Sequence, residues 1–188
     1  MVVEHTHNHF EWSTIFAGAA VALAVTLVLS QFGSAIGLST DGPLFNDVNL
    51  LHWAVIVTGI WLLWVQLISS VLGGYISGRM RCKTPELSIH ENELRDGFYG
   101  LITWAVSTFV VFIVNGIIAG FSTLIDAING ELAVVGDLSD AEKNAAIIGS
   151  FLIGSVSLLS AVASWWAATI GGDHRDKNTD FTRAISFR

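Results

Sequence analysis

Four long stretches of this chain, residues 13–38, 50–78, 97–125 and 145–172, contain no Asp, Glu, Lys or Arg. Each exceeds the roughly 20 residues a helix needs to cross the hydrocarbon core of a bilayer. None alternates apolar and polar residues in the manner of a barrel strand. Backbone amides in lipid must find their partners within their own segment, so such runs form helices. The pattern predicts an all-α polytopic membrane protein with four transmembrane helices in a single domain, residues 1–188. Two connections carry capping-box spacing, Ser88 with Glu91 and Ser139 with Glu142, which places helix starts there. The fourth helix is expected to begin near Asp140. A short helix after Thr84 and Pro85 should lead toward the third span and be interrupted near Gly97.

Small residues recur at helical spacing within the apolar runs. Gly33 and Gly37 in the first span, Gly74 and Gly78 in the second, and Gly116 and Gly120 in the third each form a GxxxG pair. In the fourth, Ser150, Gly154, Ser157, Ala161 and Ser164 follow one another at intervals of four, three, four and three. Helices in lipid associate through close van der Waals contact at such faces, so the sequence predicts a dense bundle with no wide pore or cofactor cavity in one subunit. The first and third spans share a GxxxG followed by a large apolar residue and Ser. The second and fourth each close on a glycine pair followed by Arg79 or Arg175. Two parallel helical-hairpin repeats would produce this, and so would the ordinary abundance of glycine in membrane helices.

Charge orients the bundle. Eight of the nine basic residues fall in the second connection or the tail: Arg79, Arg81, Lys83, Arg95, Arg175, Lys177, Arg183 and Arg188. Basic residues are retained on the cytoplasmic side, so both termini and the middle connection are expected there, in a bacterial inner membrane. Trp12, Trp165 and Trp166 then lie at the inner interface and Trp53 at the outer one. Asp41, Asp47, Asp126, Glu131, Asp137, Asp140 and Glu142 face only Lys143 outside. That acidic face is either a solvated surface or the contact for a cationic partner. The first eleven residues lack Lys and Arg and the apolar run after them is long, so the first span is expected to remain in the mature protein.

Composition narrows the function classes. With 52% hydrophobic and 13% charged residues in 188, four spans leave no room for a soluble catalytic domain. The single cysteine, Cys82, rules out an internal disulfide and a paired-cysteine zinc site. No phosphate loop, nucleophile elbow or metalloprotease motif occurs, and the chain is expected not to be an enzyme. No basic patch offers a nucleic-acid surface. No Asp, Glu, Lys or Arg lies inside a span, where a proton-coupled pump would place an ionisable residue; Gln31, Gln66 and Asn115 are the strongly polar residues at depth there. His52 sits at an outer edge, unsuited to a haem between spans. His5, His7 and His9 alternate, so an extended N-terminus would present three imidazoles to one divalent metal, although alternating polar residues are commoner than metal sites. No other cofactor is predicted.

Trp53, Trp61 and Trp64 form a narrow stripe on the second span. Packing or lipid contact explains such a stripe, and a bound lipid, quinone or partner helix is the alternative. The segments Trp12 to Gly18, Gly33 with Gly37, Gly73 to Arg79 and Gly97 to Ala105 resemble a family of small bacterial inner-membrane proteins, some labelled PhnA-like. Tyr99 stands where His is frequent in that family. The resemblance implies an inner-membrane location and names no substrate or cofactor. The expected function is a non-enzymatic membrane subunit. It would pack by its small-residue faces against itself, or as an accessory subunit of a larger respiratory or energy-transducing complex. The alternative is a small oligomeric channel or transporter for a cation or small solute, using Gln31, Gln66, Asn115 and the acidic outer mouth.

Overall fold

The computed structural model describes residues 10–35, 51–82, 88–129 and 140–177, with the backbone alone described for residues 51–56, 140–146, 148 and 149. Four helices account for nearly all of them: α1 (Trp12–Ala35), α2 (Leu51–Met80), α3 (Ile89–Asn129) and α4 (Asp140–Asp176), with no strand among the described residues. All four are long and apolar enough to span a membrane. At 1.5 Å per residue, the 41 residues of α3 reach about 60 Å, twice the hydrocarbon thickness, so its polar first turns project beyond the lipid.

Two details at the start of α3 follow from its sequence, one as expected and one not. The Ser88 hydroxyl accepts from the Glu91 backbone N–H, and the Glu91 carboxylate accepts from the Ser88 N–H at 3.0 Å, a reciprocal capping box. The expected interruption at Gly97 is absent, and α3 runs unbroken from Ile89 through it. Gly97 instead lets the ring of Trp165 lie where a Cβ would be, and that contact adds to the edge-to-face pair of Trp165 with Phe98, at 4.9 Å between centroids.

The buried set is what close helix packing in lipid requires. Ile15 and Val65 are its only branched aliphatics; most of the others are small, Ala19, Ala22, Ala161, Ala167 and Ala168 with Ser69, Ser70, Ser77, Ser107, Ser160, Ser164, Thr14 and Thr103, and the larger Tyr99, Arg81, Asn92 and Asp96 are buried with them. The large apolar residues face outward, as they do when the solvent is hydrocarbon. α2 and α3 each touch the other three helices, whereas α1 and α4 do not touch among the described residues. The two hairpins share an orientation but do not occupy equivalent places. Gly171 lies against the backbone of Tyr75 and Arg79, so the two glycine pairs, Gly73 with Gly74 and Gly171 with Gly172, are not level with each other.

Packing is dense at one end of the bundle only. Gly18 meets the Gly73 carbonyl, the Thr103 methyl and Ser77; Gly74 meets Ser164; Gly78 meets Ala168; Gly100 meets both Ser164 and Ala168. At the other end, every residue of α3 from Val111 to Asn129 is exposed, and Gly116, Gly120 and Gly154 have open space where a side chain would point. The uniformly dense bundle expected from the sequence is therefore corrected: it closes where the basic residues lie and opens toward the acidic connections. The large side chains of that half of α3, including Phe109, Phe112, Ile113, Ile117, Ile118 and Phe121, are all exposed.

Candidate functional site

The closed end holds the densest polar chemistry among the described residues. Arg81 follows the last turn of α2, Asp96 lies in the second turn of α3, and Arg175 lies in the last turn of α4. Arg81 Nε donates to Asp96 Oδ1. Arg175 donates from Nη2 to Asp96 Oδ2 at 3.1 Å and from Nη1 to Asp96 Oδ1 at 3.2 Å. The side chains of Arg81 and Asp96 are only 1% and 3% exposed. A carboxylate so buried is tolerable only when ion-paired and hydrogen-bonded, and the two guanidinium groups satisfy both oxygens. Arg81 Nη2 further donates to Asn92 Oδ1 at 3.3 Å, and its guanidinium lies 5.6 Å from the Tyr99 ring centroid.

Arg175 closes a second set of vacancies. The last carbonyls of a helix have no partner within it, and Arg175 Nη1 donates at 3.0 Å to Gly78 O in the last turn of α2 and to Arg81 O just beyond it. Its Nε donates to Asp176 at 2.8 Å, so two guanidinium groups face two carboxylates. Gly172 completes the pocket, because Asp96 Oδ2 occupies the space that its Cβ would take. α1 joins through Glu11. The Glu11 N–H donates to the Tyr99 hydroxyl at 2.8 Å, and its carboxylate accepts from the Cys82 N–H at 3.1 and 3.3 Å. All four helices are thus tied within one polar layer.

Beside that layer, the Tyr75 hydroxyl lies 3.2 Å from His174 Nδ1 and accepts from Arg79 at 3.3 Å. Deeper in the bundle the Ser160 hydroxyl accepts from Trp104 Nε1 at 2.9 Å and from Gln66 Nε2 at 3.3 Å, and donates to Ser157 O. Those bonds that run between helices join α2, α3 and α4 and hold them in register.

The sequence-derived sites fare unevenly. His5, His7, His9 and Gly37 lie outside the described residues, and Trp53 lies where only backbone is described. Among the described residues no group of three His, Cys, Asp or Glu side chains can hold a metal. Gly74 and Gly78 are buried between α2 and α4, and Gly33 receives the indole of Trp61. Ala161 and Ser164 are buried and Ser157 is half-buried, but Ser150 and Gly154 are exposed. The fourth-helix seam is therefore an internal contact at one end and an open face at the other. The tryptophan stripe divides likewise: Trp61 is half-buried against α1 and Trp64 is exposed. Gln31 and Asn115 also face outward, and the Asn115 amide donates to Val111 O, so they do not line a path with Gln66 inside one chain.

The acid that centres the polar layer, Asp96, was not among the expected site residues. A signal for it exists, since Asp96 abuts the uncharged run beginning at Gly97, just as Arg81 and Arg175 lie a turn or less beyond the runs ending at Gly78 and Gly172. One consequence is measurable at Cys82. A hydrogen bond to the Glu11 carboxylate, and then that group's negative charge, raise the exposed Cys82 thiol above its ordinary range. Alkylation proceeds through the thiolate, so Glu11→Gln is expected to speed maleimide labelling of Cys82 at pH 8 severalfold. An unchanged rate would show that Glu11 does not hold the thiol. No protein-family model, no curated protein and no solved structure matches the chain.

Proposed function

We propose that this multi-pass membrane protein is a non-enzymatic subunit whose open half receives another membrane helix, from a second copy or from a larger membrane complex. The observation carrying this reading is the contrast between the two ends of the bundle. The inner half satisfies its glycines and buried charges internally, while α3 beyond Val111 and α4 around Gly154 carry small-residue notches that none of the described residues fills. Gly116 and Gly120 form one such notch, and Ser150 with Gly154 another. Backbones can approach closely at these places, and lipid chains fill them poorly. Gly120→Leu is expected to leave the monomer's thermal midpoint unchanged and to weaken association in native membranes by about tenfold. Cross-linking that finds only monomer, with or without Gly120, defeats the proposal.

Localisation belongs to the same proposal. Eight of the nine basic residues fall in the second connection, its flanks or the tail, and only Lys143 falls at the other end, which supports an inner-membrane protein with both termini and the second connection cytoplasmic. In a Cys82→Ser background, an impermeant thiol reagent applied to intact cells is expected to label Asp137→Cys and to spare Lys83→Cys. The reverse pattern inverts the topology. Outward-facing Gln31 and Asn115 favour a second reading, a cation or small-solute path between copies. It shares the association test and adds ion flux in reconstituted vesicles.

A further inference from the structure

Midway along the bundle a cavity of about 70 Å³ opens between α1, α2 and α3. Polar side chains from all three helices line it: Thr26, Gln66, Ser69, Ser70, Ser107 and Thr108. Counted along the helices, Ser69 is twelve residues from Arg81 and Thr108 twelve from Asp96, or about 18 Å each at 1.5 Å per residue. Two helices therefore agree in placing the cavity near the middle of the hydrocarbon. It also marks the point where the helices part, because α3 is exposed on all sides from Val111, another lining residue, onward.

Hydroxyls in membrane helices usually donate to a carbonyl three or four residues back, and this chain follows that habit repeatedly. Thr26 bonds Ala22 O, Ser107 bonds Trp104 O, Ser122 bonds Ile118 O and Thr123 bonds Ala119 O. Ser69 and Thr108 do not. Their hydroxyl oxygens are buried and have no protein partner among the described residues, and both line this one cavity. Ser69 is only 3% exposed. Leaving two buried hydroxyls unbonded in a low-dielectric interior is unfavourable. The other buried atoms without a partner, on Thr58, Trp61 and Thr103, do not line this cavity.

We infer that this cavity is an internal hydration site, in which ordered water bonds the Ser69 and Thr108 hydroxyls and bridges α2 to α3 where the bundle begins to open. The space exceeds the roughly 10–15 Å³ that one water requires, and the lining supplies more than the two to four polar partners it needs. A metal cation is a poor occupant, since the lining holds no carboxylate and an uncompensated charge at that depth is costly. A lipid tail is equally unsuited, because it leaves both hydroxyls unbonded.

The test uses the full chain in lipid nanodiscs, with solid-state NMR transfer of polarisation from water to protein. Ser69 and Thr108 are expected to receive water polarisation, while Ser122 and Thr123, exposed on α3 with their hydroxyls bonded to their own helix, are the controls. The second measurement is the thermal midpoint of Ser69→Ala/Thr108→Val. If water bridges the hydroxyls, the double variant loses those bonds and its midpoint falls. If the cavity is dry, the variant removes two unpaired polar groups and its midpoint holds or rises. Water transfer to Ser69 and Thr108 no stronger than to the controls, acyl-chain cross-peaks to Ser69, or a midpoint that holds or rises would each overturn the inference.

Discussion

Replacing Asp96 with Ala is expected to cost the bundle about 3–5 kcal/mol, the range for removing one partner from a buried ion pair. The loss has two parts. The carboxylate is the shared partner of Arg81 and Arg175, and without it two guanidinium groups stay in a nearly closed pocket facing each other. Arg175 also loses the anchor that aims it at Gly78 O and Arg81 O, so the carbonyls at and just beyond the end of α2 lose their cap as well. Unfolding in bicelles, by denaturing detergent or steric trapping, reads the effect directly. The control is Asp96→Leu combined with Arg81→Met and Arg175→Met. Replacing a whole buried ionic set by apolar groups of similar volume is often neutral, so the triple variant should recover much of the loss. If Asp96→Ala alone changes stability by less than about 1 kcal/mol, the layer is solvated and its charges act as an ordinary surface.

How the layer escapes a linear reading is physical. Asp96 is 15 residues from Arg81 and 79 from Arg175, and no periodicity links positions on different helices. What the sequence does encode is the edge of the lipid. Four uncharged runs fix four helices because hydrocarbon excludes charge and unsatisfied backbone over a known thickness, and the Ser88 cap is legible because its partner is three residues away. Charged residues at those edges are read as flanks, and a flank can be solvated or shared between helices. Only the bundle decides between the two.

The same limit applies to glycines. Gly74 with Gly78 and Gly116 with Gly120 are the same motif, yet one pair is an internal contact and the other faces open space. The difference lies in their surroundings. Gly74 and Gly78 share their helix with Ser70 and Ser77, and Ser164 and Ala168 meet them from α4. Gly116 and Gly120 stand among Phe112, Ile113, Ile117 and Phe121, all exposed. A motif gives the capacity for close approach. A partner that is small at the same depth decides whether approach occurs within the chain.

That distinction gives the sharpest prediction. From the sequence, Gly74 and Gly120 would be equivalent probes of association, both disrupted by Leu. From the structure, Gly74→Leu drives its side chain into the Ser164 backbone and hydroxyl, and Gly78→Leu into the Ala168 backbone. No flexible side-chain tip is there to give way, and α2 and α4 must separate at the centre of the closed half. Overpacking costs of about 1–3 kcal/mol assume that side chains can adjust; against backbone the loss is expected at or beyond the top of that range. Separation would also carry Gly78 O and Arg81 O away from Arg175, so the polar layer weakens with it. Gly74→Leu and Gly78→Leu should therefore lower the thermal midpoint of a dilute, monomeric sample in detergent, where association plays no part. Gly120→Leu in the same sample should match the unsubstituted chain. A Gly78→Leu protein as stable as the original would mean that α2 and α4 do not meet at Ala168, and the packing of the closed half would have to be redrawn.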